Sequence, residues 1–233
     1  MTTIERNLQD VRARIATACH ASGRNVQDVA LLAVSKTFGA DAVRAAHAAG
    51  QRAFGENYVQ EGVDKIAALR GLGLQWHCIG PIQSNKTRLV AEHFDWAHTV
   101  DRLKIAERLS SQRPAGLAPL QVCIQVNIDG GANKSGVAPD EALALARAVA
   151  ALPSLRLRGL MAIPEPAPDF EATCAVHMRA KNLFDQLNAA GQGLDTLSMG
   201  MSADLEAAIA AGSTLVRVGS AIFGTRAPRP AAG

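Results

Sequence analysis

The chain has 233 residues, 48% hydrophobic and 19% charged, which is enough to bury one large core. A formal charge of +3 with no basic block, and only 4% aromatic residues, exclude a nucleic-acid partner held by charge or base stacking. No run has the length of a membrane span, and the polar start Met1-Thr2-Thr3-Ile4-Glu5-Arg6 lacks the apolar stretch of a signal peptide, so a cytoplasmic protein without a membrane partner is expected.

The four cysteines, Cys19, Cys78, Cys123 and Cys174, have no CxxC spacing, and Cys78 and Cys123 lie inside apolar runs as small buried hydrophobes. Free thiols point to a reducing compartment. The histidines are spread along the chain. His77 and His98 read as core or rim residues, and His20, His47, His93 and His177 as helix-surface residues, which leaves a metal site little support.

Helical periodicity runs from 2 to 20, with Ile4, Leu8, Val11, Ile15 and Ala18 near one face, a Thr2/Glu5 capping-box pattern and Gly23 as the stop. Strand one is the apolar run 29–35, followed by Lys36 and an alanine-rich helix over 40–49. Arg52-Ala53-Phe54 is a short strand leading into Gly55-Glu56-Asn57, with a helix over 58–69. Strand three is 74–79, broken by Gly80-Pro81, and Ser84-Asn85-Lys86 opens the next helix. A fourth strand over 94–99, a helix over 101–111, a fifth strand over 120–128 and a helix over 139–151 follow. Then come strand six over 155–163, a proline-stiffened loop, a helix over 169–189 and strand seven over 194–198. A helix over 203–211 and strand eight over 214–218 close the pattern, and the tail 227–233 is expected to be disordered.

Eight strands alternating with helices through short connections predict an α/β fold, a single (β/α)8 barrel over 1–226 with an extra N-terminal helix. The competing open doubly wound sheet lacks a GxGxxG turn after any strand. In a barrel, functional groups belong at the carboxyl ends of the strands. Lys36 sits at such an end, where part-burial disfavours the ammonium and leaves a nucleophilic amine able to condense with a carbonyl. The bland alternative is a lysine that marks the strand end and points into water.

Other polar or glycine-rich clusters fall at strand ends as well: Gly55-Glu56-Asn57, Ser84-Asn85-Lys86, Asn127 with Asn133-Lys134-Ser135-Gly136, Ser198 to Ser202, and Gly219 to Gly224. The last two follow strands seven and eight, where barrels bind phosphate. Gly219 and Ser220 offer backbone N–H groups, and Ser202 offers a hydroxyl and a cap for the helix starting at Ala203, although two ordinary glycine turns would look the same. Asp204 and Glu206 in that first turn would repel an anion and are expected to point outward. Arg217, a charge inside an apolar strand, needs either a buried carboxylate or a ligand atom.

Seven stretches in order carry a resemblance: LLAVSKT at 31–37, FGENYVQE at 54–61, WHCIGPIQSNK at 76–86, QVNIDGGANKSGV at 125–137, LRGLMAIP at 157–164, LSMGMSADLEAAI at 197–209 and GSTLVRVGSAIFGTR at 212–226. The chain resembles the pyridoxal phosphate homeostasis family, which looks like the alanine racemase barrel (fold type III among pyridoxal phosphate proteins) without its second domain. Many members have histidine where this chain has Pro81.

The resemblance implies that Lys36 carries pyridoxal 5'-phosphate as an internal aldimine. It also implies that Ser202, Gly219 and Ser220 hold the phosphate, that Arg217 faces the pyridine nitrogen and that Asn57 lies near the ring. It implies a monomer that stores, buffers or delivers the cofactor for vitamin B6 homeostasis, with apo-enzymes and free amino acids as partners. Two-base racemisation needs an acid/base on each face, and the tyrosine that serves one face in racemases lies in the missing domain. The lone tyrosine, Tyr58, resembles a structural residue of the family motif. A weak amino-acid racemase is the alternative, and an aldolase using Lys36 would leave Arg217 without a purpose.

Overall fold

The capping box is formed, with Thr2 Oγ1 accepting from Glu5 N at 3.1 Å and Glu5 Oε2 accepting from Thr2 N at 3.2 Å. It opens α1, Thr3–Ala21, whose buried stripe is Leu8, Val11, Ile15, Ala18 and Cys19. The computed structural model describes residues 2–131 and 135–224, so the expected disordered tail and the loop residues Asn133 and Lys134 lie outside the described residues.

The strands are β1 Ala30–Val34, β2 Ala53–Glu56, β3 Gln75–Cys78 and β4 Trp96–Val100, then β5 Leu120–Gln125, β6 Leu155–Met161, β7 Thr196–Ser198 and β8 Leu215–Val218. Between them run α2 Ala40–Ala48, α3 Val59–Ala68, α4 Thr87–His93, α5 Leu103–Gln112, α6 Ala142–Ala150, α7 Phe170–Ala189 and α8 Leu205–Ala210, and a last turn, α9 Ser220–Phe223, follows β8. Each strand pairs in parallel with its successor, and β8 closes on β1 with Leu32 beside Arg217. The closed eight-stranded barrel is therefore the architecture, with α1 packed against α8, α9 and α2. Strand ends differ from the sequence reading by a few residues. β5 and β6 stop at Gln125 and Met161, and β2 runs on through Glu56 because its backbone continues to pair with β3.

Alternation sorts the side chains. The outward faces join the helices in one extended apolar core that includes Ala33, Phe54, Leu120 and Leu160. Inside lie two small apolar groups, Leu32, Val34, Ile79 and Leu215, and Trp96, Cys123 and Met161. A polar line crosses the same interior. Arg217 NH1 donates to Ser198 Oγ at 2.8 Å, Ser198 Oγ meets His98 Nδ1 at 3.0 Å, His98 Nε2 meets His77 Nδ1 at 2.9 Å, and His77 Nε2 meets Gln75 Oε1 at 3.0 Å. Arginine only donates and Gln75 presents its oxygen, so the donors run one way and each histidine carries its proton on Nε2. The two histidines thus form a pair, where the sequence reading kept them apart. Adjacent strands bring residues 77 and 98 side by side.

His177, expected on a helix surface, is buried on the inner face of α7, with Nε2 2.9 Å from Asp204 Oδ2. The other buried-residue expectations hold for Cys78 and Cys123. No helix among the described residues is long and apolar enough to cross a membrane.

Gly80 sets where β2 delivers its carboxyl end. A Cβ there would lie 2.0 Å from the carbonyl oxygen of Asn57, and backbone cannot yield as a side chain tip can. Gly80→Ala is expected to cost about 3 kcal/mol or more, read as a drop in Tm. The histidine pair gives a second expectation. Burial pushes His77 down to about 3 and His98 well below its ordinary value, the latter also through His77 and Arg217. The unfolded chain takes up those protons below about pH 6.5 while the folded chain does not, so the stability is intact above that pH and is lost as the pH falls toward 3. For His77 the loss is about 2 kcal/mol at pH 5. Melting curves across pH 7 to 4 should show a shallower decline for His77→Phe than for the unchanged chain.

Candidate cofactor site

At the carboxyl ends of the strands opens a cavity of about 550 Å³, a size that suits a small cofactor. Lys36, Asn57, Ser202, Arg217, Gly219 and Ser220 all line it. These six come from the ends of β1, β2, β7 and β8, so closure of the barrel brings together residues up to 184 positions apart (220 minus 36). Not every polar strand-end cluster arrives there. Ser84 faces α4 and α5, its carbonyl accepting from Thr87 Oγ1 and Arg108 Nε, and Asn127 ties its own loop through Gly131 O and Gly130 N.

Arg217 is buried, and among the described residues no carboxylate lies within ion-pair distance of it. Its two described acceptors are neutral, Ser198 Oγ and the Ala162 carbonyl at 3.0 Å. Burial pulls its pKa down to about 10, which still leaves it protonated at neutral pH. Two of its five N–H bonds are used this way, and Arg217 is also part of the cavity wall. The buried-carboxylate alternative for this strand arginine is therefore absent among the described residues.

The loops after β7 and β8 meet through their hydroxyls, Ser220 Oγ donating to Ser202 Oγ at 3.3 Å. Gly219 lets the turn after β8 lie close against the end of β1, since a Cβ there would stand 3.1 Å from Val34 O and 3.3 Å from Val34 Cβ. Ser202 does not cap the following helix. α8 begins at Leu205 with Asp204 as its flanking residue, and the Ser202 carbonyl is instead held by Arg14 NH2 of α1 at 3.0 Å.

The acidic residues of this turn are diverted from the cavity, although not simply outward. Asp204 turns back on the protein, accepting from Met201 N at 2.6 Å and facing His177. Burial raises its pKa, but those hydrogen bonds outweigh it and hold the carboxyl below its ordinary value. Glu206 pairs with Arg14 at 2.8 Å.

Asn57 presents an Oδ1 that is buried and has no hydrogen-bond partner among the described residues. Such an atom costs about 1–3 kcal/mol unless a ligand donor meets it. The apolar part of the wall was not foreseen: Phe38, Ile79, Ile163 and Met201 line it, and Phe38 stacks on Phe223 with centroids 5.2 Å apart. Phe38 lies two residues past Lys36, and Ile79 ends strand three, so position relative to the strand ends was the available signal. Tyr58 is exposed and does not line the cavity.

Comparison with known proteins identifies the family of the chain. The model of the alanine racemase N-terminal domain family matches residues 4–227. A pyridoxal phosphate homeostasis protein of Pseudomonas aeruginosa is 62% identical over 226 residues, 97% of either chain. Its counterpart in Escherichia coli is 56% identical over 229 residues, 97% of this chain and 98% of its own. PipY of Synechococcus elongatus, solved with pyridoxal phosphate bound, is 37% identical with a TM-score of 0.83 over 95% of this chain and all of its own. An alanine racemase of Clostridium difficile, 17% identical, shares the fold with a TM-score of 0.75 over 98% of this chain and 58% of its own. The chain belongs to the pyridoxal phosphate homeostasis protein family, built on the alanine racemase N-terminal domain.

Proposed function

We propose that the protein binds pyridoxal 5'-phosphate through Lys36 and buffers or delivers it, without turning over amino acids at an enzymatic rate. The observation that carries the reading is the convergence of Lys36, Asn57, Ser202, Arg217, Gly219 and Ser220 on one cavity. The donor set fits the cofactor's chemistry. Two hydroxyls and the backbone at Gly219 offer donors to a phosphate, Arg217 offers N–H groups to a ring nitrogen, and Asn57 Oδ1 can accept from a polar ring substituent.

When bound, the cofactor would supply an aldehyde that can condense reversibly with an amine, releasing one water. Lys36 is the amine in the cavity. Arg217 stays protonated and gives the ring nitrogen a hydrogen bond, not a full proton, which limits the ring as an electron sink. Among the described residues, the cavity wall holds no histidine, tyrosine, cysteine or carboxylate that could serve as a second acid/base. That supports a carrier over a racemase. Free amino acids and the active-site lysines of apo-enzymes are the competing amines that would draw the cofactor off.

Two expectations follow from this assignment. Lys36→Ala should abolish the yellow chromophore and the borohydride-fixed adduct, and an undiminished adduct mapped to another lysine would refute the attachment site. Ser202→Ala with Ser220→Ala should weaken cofactor binding about 10- to 100-fold per hydroxyl, with Tm little changed. Solvent deuterium entering the α-position of alanine at about 1 s⁻¹ or faster would instead favour the racemase reading.

A further inference from the structure

Beneath Lys36, outside the cavity wall, lies a buried ionic cluster that the cofactor assignment leaves unused. Lys65 of α3 is buried, and its Nζ donates to Ser35 O at 2.7 Å, Glu56 Oε1 at 2.8 Å and Glu61 Oε1 at 2.6 Å. These three acceptors use every N–H of the ammonium. Ser35 Oγ donates to the same Glu56 oxygen at 2.5 Å, and the Thr37 N–H donates to the same Glu61 oxygen at 2.6 Å. The residues on both sides of Lys36 are thus tied to one ammonium.

Between those two ties the chain turns sharply. Phe38 N donates to Ser35 O at 3.1 Å, closing a four-residue turn with Lys36 and Thr37 at its centre. Thr37 has φ +69, and among the described residues it is the one non-glycine with positive φ. A β-branched side chain there is strained, and such a conformation persists only where its surroundings impose it. The direction in which the backbone launches the Lys36 side chain depends on this turn.

The cluster is an expensive way to stabilise a barrel. Burying Lys65 and Glu56, with Glu61 only partly covered, carries a desolvation penalty that apolar packing would avoid. Glu56 is fully buried, burial pushes its carboxyl up, and its Oε2 has no hydrogen-bond partner among the described residues. What the arrangement does achieve is local, since Ser35 O, Ser35 Oγ and Thr37 N, the groups it grips outside its own carboxylates, all flank Lys36.

We propose that Lys65, with Glu56 and Glu61, is a positioning group that enforces the strained turn at Thr37 and so aims the Lys36 amine into the cavity. The inference rests on Lys36 being the attachment residue. It assigns Lys65 no contact with the cofactor, only control of the lysine that makes the bond.

The test separates covalent capture from non-covalent binding on the full-length chain. Pyridoxal phosphate reports capture as a borohydride-fixed adduct, and 4'-deoxypyridoxine 5'-phosphate, which lacks the aldehyde, reports binding of ring and phosphate alone. Lys65→Met should slow adduct formation about 10- to 100-fold while moving the analogue's Kd by no more than about 3-fold. Thr37→Gly, which makes the left-handed turn cheap, should restore part of the lost rate in the Lys65→Met background. Glu61→Met keeps most of the side-chain volume, removes the acceptor of the Thr37 N–H and should give the same split more weakly, so it decides the matter if Lys65→Met does not fold. Unchanged capture in both variants, or parallel loss of capture and analogue binding, would overturn the positioning role. An unchanged chain that forms no adduct at Lys36 would overturn the cofactor assignment itself, and this inference with it.

Discussion

A buried guanidinium with only neutral described acceptors organises the inside of this barrel. Arg217 is held by a serine hydroxyl and a backbone carbonyl, and the hydroxyl is held in turn by His98 and His77. Each member must be a neutral or donor-matched partner, because a second positive charge in that interior would be unsupported. The apolar groups on either side, around Leu32 and around Trp96, keep water from relieving the constraint. The result is a cation fixed in place in the wall of the cavity at the carboxyl ends of the strands.

The cavity itself is a product of closure. β1 supplies the lysine and β8 the arginine and the glycine turn, and these two strands are neighbours because the sheet closes on itself. Arg14 of α1 reaches across to hold the Ser202 carbonyl and Glu206, so the helix that precedes the barrel also braces the loop after β7. Acidic groups in that loop are engaged by His177 and Arg14, which leaves the hydroxyl side free of competing carboxylates.

The alternation of apolar strands and helices made the barrel legible, and position at strand ends made the site legible. Lys36, Arg217 and the Gly219-Ser220 turn each looked ordinary alone and acquired meaning from the shared end of the sheet. Other features depend on facts that no local pattern carries. His77 and His98 sit on adjacent strands, and their pairing follows from register and inward orientation, not from spacing. His177 lies on a long helix of weak amphipathicity, so its buried side could not be told from its exposed one. Lys65 reads as a surface lysine four residues after Glu61, and its burial depends on how α3 seats against β1 and β2. Ser202 resembled a cap by sequence, but the helix starts three residues later and another helix claims its carbonyl.

The distribution of the site along the chain has a consequence during synthesis. Lys36 leaves the ribosome early, whereas Ser202, Arg217 and Ser220 are among the last described residues to appear. Until β8 has formed beside β1, the nascent chain has Lys36, the proposed attachment residue, but neither Arg217 nor the two serine hydroxyls beside it. A free aldehyde meeting that lysine would gain only a weak, exchangeable bond, without the non-covalent contacts that hold it. On the proposed site, retention of cofactor therefore requires β8 in place beside β1, and a truncated product lacking β8 would release what it picks up.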